Sequence, residues 1–450
     1  MDCNFMALES FSERITDYLV PCAIRLKAPD IGERVPTHFI LLLDVSDSMK
    51  SDNKLENVKR CTENVLQILT EKDRISLITF GYDATLHLNR VIADEAHKVS
   101  MRDVIKGLDC NGCTNLSAGL VLVRQICQGE EMKTGLLVLT DGHANMGVHE
   151  PNALRKIFQN LSENISVLSI NCIAYGSDHN ADLLKNIAED SQGTYTIVNT
   201  IEDTAMAFGD TLGGLLSCAS QNNTVTLPKA SKVYGYYKCE TKDDVKIVKL
   251  GDIYSGTSPL LLADIPAGQL RNNTDCVIVK GTKLPEFTEF IINPKVTLEP
   301  NRQIDIEATK LRYKCTEILN DLKNWNTLDN SEKPVLEARI KLFETLLNDT
   351  FYNDNVLISL LKSEVNVMKD TLKRCKEGNM NNFDNVMVSQ HITTLGLGRG
   401  FSSPMPVNRR RRHNTLEEPD ENPTVITSAF QNTMQSQISE LLRTSSQYHP

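Results

Sequence analysis

Between Thr37 and Ser220 the chain alternates compact apolar runs with segments whose apolar residues recur every three or four positions. That alternation predicts a mainly parallel sheet covered by helices on both faces. Strands are expected over 38–44, 74–80, 85–89, 135–141, 166–175 and 194–198. Helices fill the gaps. Leu55, Val58, Thr62, Val65, Leu66, Ile68 and Leu69 share one helical face, and Leu183, Leu184, Ile187 and Ala188 mark another helix that stops before Gly193.

The pattern changes on either side of this region. Short β-like stretches at 18–26, 224–227, 232–237, 245–250, 260–262 and 276–280, separated by turns such as Pro266-Ala267-Gly268, predict a small antiparallel sandwich. Its first strand comes from the 18–36 segment, so the α/β unit at 37–220 is inserted into a sandwich that resumes over 221–299. Residues 300–377 return to helical spacing. One helix runs from Ile306 through Leu322, a second begins near Pro334, and a third spans 356–373, enough for a bundle. From 378 to 450 the sequence is rich in Asn, Ser, Gly and Pro and reads as a largely disordered tail, with one apolar stretch at 425–442.

Composition narrows the function classes. A length of 450 residues suggests several folding units, and a formal net charge of −10 argues against a whole-protein role on nucleic acid or acidic lipid. The basic stretch Arg409–Arg412 is the local exception, and the acidic 417–421 segment weakens its field. No apolar run reaches the roughly 18 residues of a membrane span, and the acidic amino terminus is unlike a secretory signal, so a cytoplasmic protein with no membrane contact is expected. The 12 cysteines sit mostly singly within apolar runs, as buried thiols do in a reducing compartment. Cys110-Asn111-Gly112-Cys113 lacks the second pair that a zinc site needs, and two incidental loop thiols are the simplest reading. Gly396-x-Gly398-x-Gly400 has neither the spacing nor the preceding strand of a nucleotide-binding loop.

The candidate chemistry lies at the ends of two strands. Asp44-Val45-Ser46-Asp47-Ser48 follows the apolar run 39–43, Thr114 stands in a loop after Gly112, and Asp141 closes the run 137–140. Loops at the carboxyl ends of neighbouring parallel strands converge where ligands bind, and carboxylates with hydroxyls suit a hard cation such as Mg²⁺. Asp-x-Ser-x-Ser, then Thr114, then Asp141, with Gly112-x-Thr114-Asn115-Leu116-x-x-Gly119-Leu120, resembles the metal-ion-dependent adhesion site of von Willebrand factor A domains.

The resemblance implies a doubly wound, Rossmann-like α/β fold with a flanking β-sandwich and a helical region. It also implies a site in which Ser46, Ser48 and Thr114 contact Mg²⁺, or Mn²⁺ or Ca²⁺ in its place, through neutral hydroxyls. Asp44 and Asp141 would act mainly through bound water. A cation with few direct anionic ligands stays electrophilic, so an Asp or Glu carboxylate of a protein partner completes its shell. The arrangement looks like intracellular A-domain proteins, some with RING or Hint domains, and Tyr175-Gly176-x-Asp178-His179 adds to the likeness. The cysteine and histidine spacings form no RING. Asp47 departs from the family, which often has Gly there. The expected function is a non-catalytic interaction module or scaffold. The alternative is a metal-dependent hydrolase using the same carboxylates, with His143 the nearest histidine to Asp141 in sequence, but no second metal cluster or phosphate loop accompanies it.

Overall fold

The computed structural model describes residues 6–10, 19–379 with short interruptions, and Val388; the longest interruptions are 29–33, 298–302 and 349–355. Two strands come first, β1 (Met6–Ser10) and β2 (Leu19–Leu26), which pair antiparallel. The chain then enters a central α/β layer. Its elements are β3 (Thr37–Asp44), α1 (Lys54–Ile68), β4 (Arg74–Phe80), β5 (Ala84–Ile92), α2 (Glu95–Lys106), α3 (Leu116–Ile126), β6 (Lys133–Thr140), α4 (Pro151–Asn164), β7 (Leu168–Tyr175), α5 (Ala181–Asp190), β8 (Tyr195–Val198) and α6 (Ile201–Leu216).

The central sheet has the order β5-β4-β3-β6-β7-β8, parallel except for the β4–β5 pair. Every residue of β3, β6 and β7 is buried, which explains why these strands read as continuous apolar runs. Along β3 the side chains alternate between two cores. Phe39, Leu41 and Leu43 pack with Val58, Val65 and Leu66 of α1 and Phe208, Leu212 and Leu215 of α6, whereas Ile40 and Leu42 pack with Leu116, Leu120 and Val123 of α3 and with Leu154 and Phe158 of α4. This period of two places α1, α2 and α6 on one face and α3, α4 and α5 on the other. Strand order reverses between β3 and β6, so the crevice of the sheet opens at the carboxyl ends of those two strands.

The chain leaves the layer through β9 (Cys218–Pro228), β10 (Lys232–Val233), β11 (Lys238–Lys242), β12 (Val245–Tyr254), β13 (Leu260–Pro266), the short α7 (Ala267–Asn272), β14 (Ile278–Lys283), β15 (Thr288–Ile292) and β16 (Val296–Thr297). Two five-stranded sheets result, β10-β13-β2-β1-β16 and β11-β12-β9-β14-β15. β2 lies against β13 from Leu19 opposite Pro266 to Arg25 opposite Leu260, so the sandwich is completed by strands from both sides of the α/β layer. Lys133 at the foot of β6 is fully buried with its Nζ 3.1 Å from Asp252 of β12, an ion pair that joins the central sheet to the sandwich.

Several elements differ in extent from the sequence reading. The strand expected over 85–89 runs the length of β5 and forms an antiparallel edge, and the one expected over 232–237 is two residues long. β11 carries no apolar signal because all five of its residues are exposed. Last come α8 (Gln303–Lys323), α9 (Glu332–Leu347), with Pro334 in its first turn where a missing N–H is tolerated, and α10 (Val356–Lys376). Leu319, Leu322, Ile340, Phe343, Leu361 and Met368 share one core, and Val388, 2% exposed, joins it from within the segment read as tail. The remaining tail features, Arg409–Arg412 and 425–442, lie outside the described residues, as does part of the 175–179 motif.

Candidate metal centre

Asp44 is the last residue of β3 and has no solvent exposure. Its Oδ1 accepts the backbone N–H of Ser46 at 2.9 Å, which folds the chain over the strand end in the way short carboxylates favour. Its Oδ2 accepts the Thr140 hydroxyl at 2.5 Å from the end of β6. Ser46 is extended (φ −67°, ψ 165°) and opens a 3-10 turn over Asp47–Asn53, so the Ser46 and Ser48 hydroxyl oxygens lie 3.0 Å apart. Ser46 is buried and Ser48 exposed.

The loop before α3 is tied to this turn by backbone hydrogen bonds. Asn111 N–H donates to the Val45 carbonyl at 2.6 Å, and Asp47 N–H donates to the Gly112 carbonyl at 2.9 Å. Gly112 has φ +63°, a conformation that favours glycine. Gly119 then lets α3 approach β3, since a Cβ there would stand 2.7 Å from Leu42 Cδ1. Thr114 precedes the N-cap Asn115 and is 2% exposed. The loop after β6 grips it on both sides. Thr114 N–H donates to Asn145 Oδ1 at 2.9 Å, and the Thr114 carbonyl accepts from Asn145 N–H at 3.1 Å. All five residues singled out in the sequence therefore lie on three loops joined at the carboxyl end of β3 and β6.

Asp141 is 1% exposed. One of its oxygens, Oδ2, faces Lys54 Nζ at 3.3 Å, while Oδ1 is buried without a hydrogen-bond partner. Burial pushes the Asp44 carboxyl up to about 6, the Asp141 charge adds to the rise, and hydrogen bonds from Ser46 and Thr140 oppose it. Two buried carboxylates, one with an unsatisfied oxygen, beside a pair of hydroxyls make an electron-rich pocket that suits a small hard cation. Among the described residues no group of three or more His, Cys, Asp and Glu side chains is placed to hold a metal, so a cation here has to use the hydroxyls as well.

Asp47 is exposed, and Lys50 Nζ pairs with it at 2.6 Å, a hydrogen bond that holds its carboxyl below the usual range. Its extra charge faces solvent and is met locally. Cys110 and Cys113 are free thiols; Cys110 is half-buried, and burial raises its pKa, which disfavours the reactive thiolate. His143 is exposed. Lys54, Thr140 and Asn145 are the site residues that sequence reasoning missed. Each is separated from its partner by tens of residues, and none stands in a motif that announces the contact.

Residues 38–197 match the family model for the von Willebrand factor type A domain. With the sheet order and helical layers above, this part of the chain has the fold of a von Willebrand factor type A domain. Over 80% of its length the chain is similar in fold to a von Willebrand factor type A protein from Catenulispora acidiphila, with a TM-score of 0.56, 14% identity, and 91% of that chain covered. It is 28% identical over 176 residues to the uncharacterized protein YfbK of Escherichia coli, covering 38% of this chain and 30% of that protein. It is also 26% identical over 193 residues to human inter-alpha-trypsin inhibitor heavy chain H4, covering 41% of this chain and 20% of the heavy chain. The chain thus spans less than a third of either of these curated relatives.

Proposed function

We propose that this protein is a non-catalytic interaction module or scaffold that captures a carboxylate of a protein partner through Mg²⁺ at the carboxyl end of β3 and β6. Ser46, Ser48 and Thr114 would hold the cation by their hydroxyls, with Asp44 and Asp141 holding its water. The cation would supply a Lewis-acidic position for a partner Asp or Glu, and Mn²⁺ or Ca²⁺ would serve in its place. The observation that carries this reading is the buried, unpartnered Asp141 Oδ1 in a pocket that already crowds the Asp44 carboxyl. A buried acceptor left unmade costs about 1–3 kcal/mol, which a hydrated cation recovers.

The free, buried Cys22, Cys127, Cys172, Cys218 and Cys315 support a reducing, cytoplasmic setting. No helix among the described residues is long and apolar enough to cross a membrane. The test is direct. Calorimetric titration with Mg²⁺ is run on the wild type and on Thr114→Ala, followed by partner capture in Mg²⁺ against EDTA. Metal uptake that Thr114→Ala weakens at least about ten-fold, with capture lost in EDTA, supports the reading. Equal uptake by both proteins, or capture indifferent to EDTA, overturns it.

A further inference from the structure

Lys54 is the one residue of the site whose charge has the wrong sign for holding a cation. It opens α1 directly after Asn53, which takes a left-handed conformation (φ 54°) at the junction with the 3-10 turn. The side chain is only 10% exposed, so the ammonium is committed to the pocket and to Asp141. The neighbouring lysines are engaged elsewhere, Lys50 with exposed Asp47 and Lys59 with Glu56 at 2.8 Å. Lys54 takes Oδ2 of Asp141 and leaves Oδ1 pointing at no protein donor.

We infer that Lys54 is a charge-setting residue, which holds Oδ2 of Asp141 and keeps the loaded site positive so that it selects an anionic partner. The inference rests on the metal-binding reading above and adds what decides the partner's charge. At neutral pH Asp44 and Asp141 bring two negative charges and Lys54 one positive. A divalent ion then leaves the pocket with one net positive charge, whereas without Lys54 the loaded pocket is neutral. In a site this buried a fixed charge acts with little screening. Lys54 therefore weakens metal binding and strengthens carboxylate capture. A residue that only braced the fold would not move those two quantities in opposite directions.

The full chain is used at pH 7.5, with Lys54→Met, which keeps the apolar stem, Lys54→Gln, Lys54→Arg and Thr114→Ala. Mn²⁺ alone is titrated and followed by the electron paramagnetic resonance of the free ion. Acetate is then added at saturating Mn²⁺, and the relaxation of its methyl protons reports carboxylate binding. Lys54→Met and Lys54→Gln should each tighten Mn²⁺ about ten-fold and weaken acetate binding several-fold, and the rise in melting temperature on adding Mn²⁺ should grow. Lys54→Arg, which keeps the charge, should shift both readouts less than either. Unchanged or weaker Mn²⁺ binding in both neutral variants, while Thr114→Ala loses Mn²⁺, overturns the role of Lys54 and leaves the metal site standing. Equal Mn²⁺ binding by the wild type and Thr114→Ala overturns the site itself and the inference with it.

Discussion

The Thr140 hydroxyl donates to Asp44 Oδ2 at 2.5 Å, so the last residue of β6 holds the carboxylate at the end of β3. The two strands are in parallel register, with Leu43 opposite Leu139, and the contact crosses the point where strand order reverses. It fixes the Asp44 carboxylate by protein contacts alone. Thr140→Val removes the donor and keeps the shape. The expected cost is about 1–3 kcal/mol of stability, read by urea unfolding, together with weaker Mn²⁺ uptake. Unfolding and uptake both equal to the wild type would show that Thr140 does not hold Asp44.

Asp44→Ala should abolish metal uptake and metal-dependent capture while the protein stays folded. The substitution loses two hydrogen bonds but also relieves a buried, repelled charge, so stability in EDTA should stay within about 2 kcal/mol of the wild type. Circular dichroism and melting in EDTA check the fold, and calorimetry checks the metal. Retained Mg²⁺ binding would remove Asp44 from the site.

The Asp44 carboxyl titrates at about 6 in the metal-free fold against 3.8 for an ordinary aspartate, because burial disfavours its charge. The folded state therefore keeps this proton where the unfolded chain has lost it. This group's contribution is most favourable below pH 4, falls as pH rises from about 4 to about 6, and stays at its lowest above that, a loss of about 3 kcal/mol. The proposed divalent binding would need the ionised form and would run the other way. Mn²⁺ affinity should drop about ten-fold on going from pH 7.5 to pH 5, with proton release on binding. Titrations at the two pH values in buffers of different ionisation heat measure both, and a flat profile would contradict the burial of an ionised Asp44.

The buried pair of Lys133 and Asp252 ties β6 to β12. Burial opposes the charge on Lys133, yet the Asp252 carboxylate keeps the pKa of Lys133 above its ordinary value. Lys133→Met alone strands a buried carboxylate and should cost about 3–5 kcal/mol, whereas adding Asp252→Leu should recover most of that loss. Chemical denaturation of the two variants gives the comparison. A single variant as stable as the wild type would mean that the pair does not couple the sheet to the sandwich.

Val388 packs into the core of α8, α9 and α10. Truncation after Gly378 should therefore destabilise the protein by about 1.5–3 kcal/mol relative to truncation after Gln390, the worth of one buried valine side chain. Thermal melting of the two truncated chains decides it. Equal melting temperatures would place the structural boundary at Gly378.

The sequence alone determined the layers and the position of the candidate chemistry. Strands buried on both faces must be apolar throughout, so β3, β6 and β7 stood out as runs. Parallel strands send their following loops to one edge, so Asp44 and Asp141 had to come near one another although they stand 97 positions apart in sequence, whereas the loop of Thr114 joins α2 to α3 and reaches them only through packing. Local pattern failed where neighbours rather than the strand itself supply the stabilisation. β11 is exposed at every residue and exists because β12 offers it a ladder; β1 is short and is held between β2 and β16. The charge balance of the site was also invisible in the sequence. Lys54 looks like an ordinary first-turn lysine, Thr140 like the end of a strand and Asn145 like a loop residue. Only the packing of α1 against the sheet carries an ammonium to Asp141, and only the register of β3 with β6 sets Thr140 beside Asp44. Hydrophobic periodicity specifies which faces are buried, whereas a buried polar contact depends on distances of an ångström between residues far apart in sequence, which tertiary packing alone fixes.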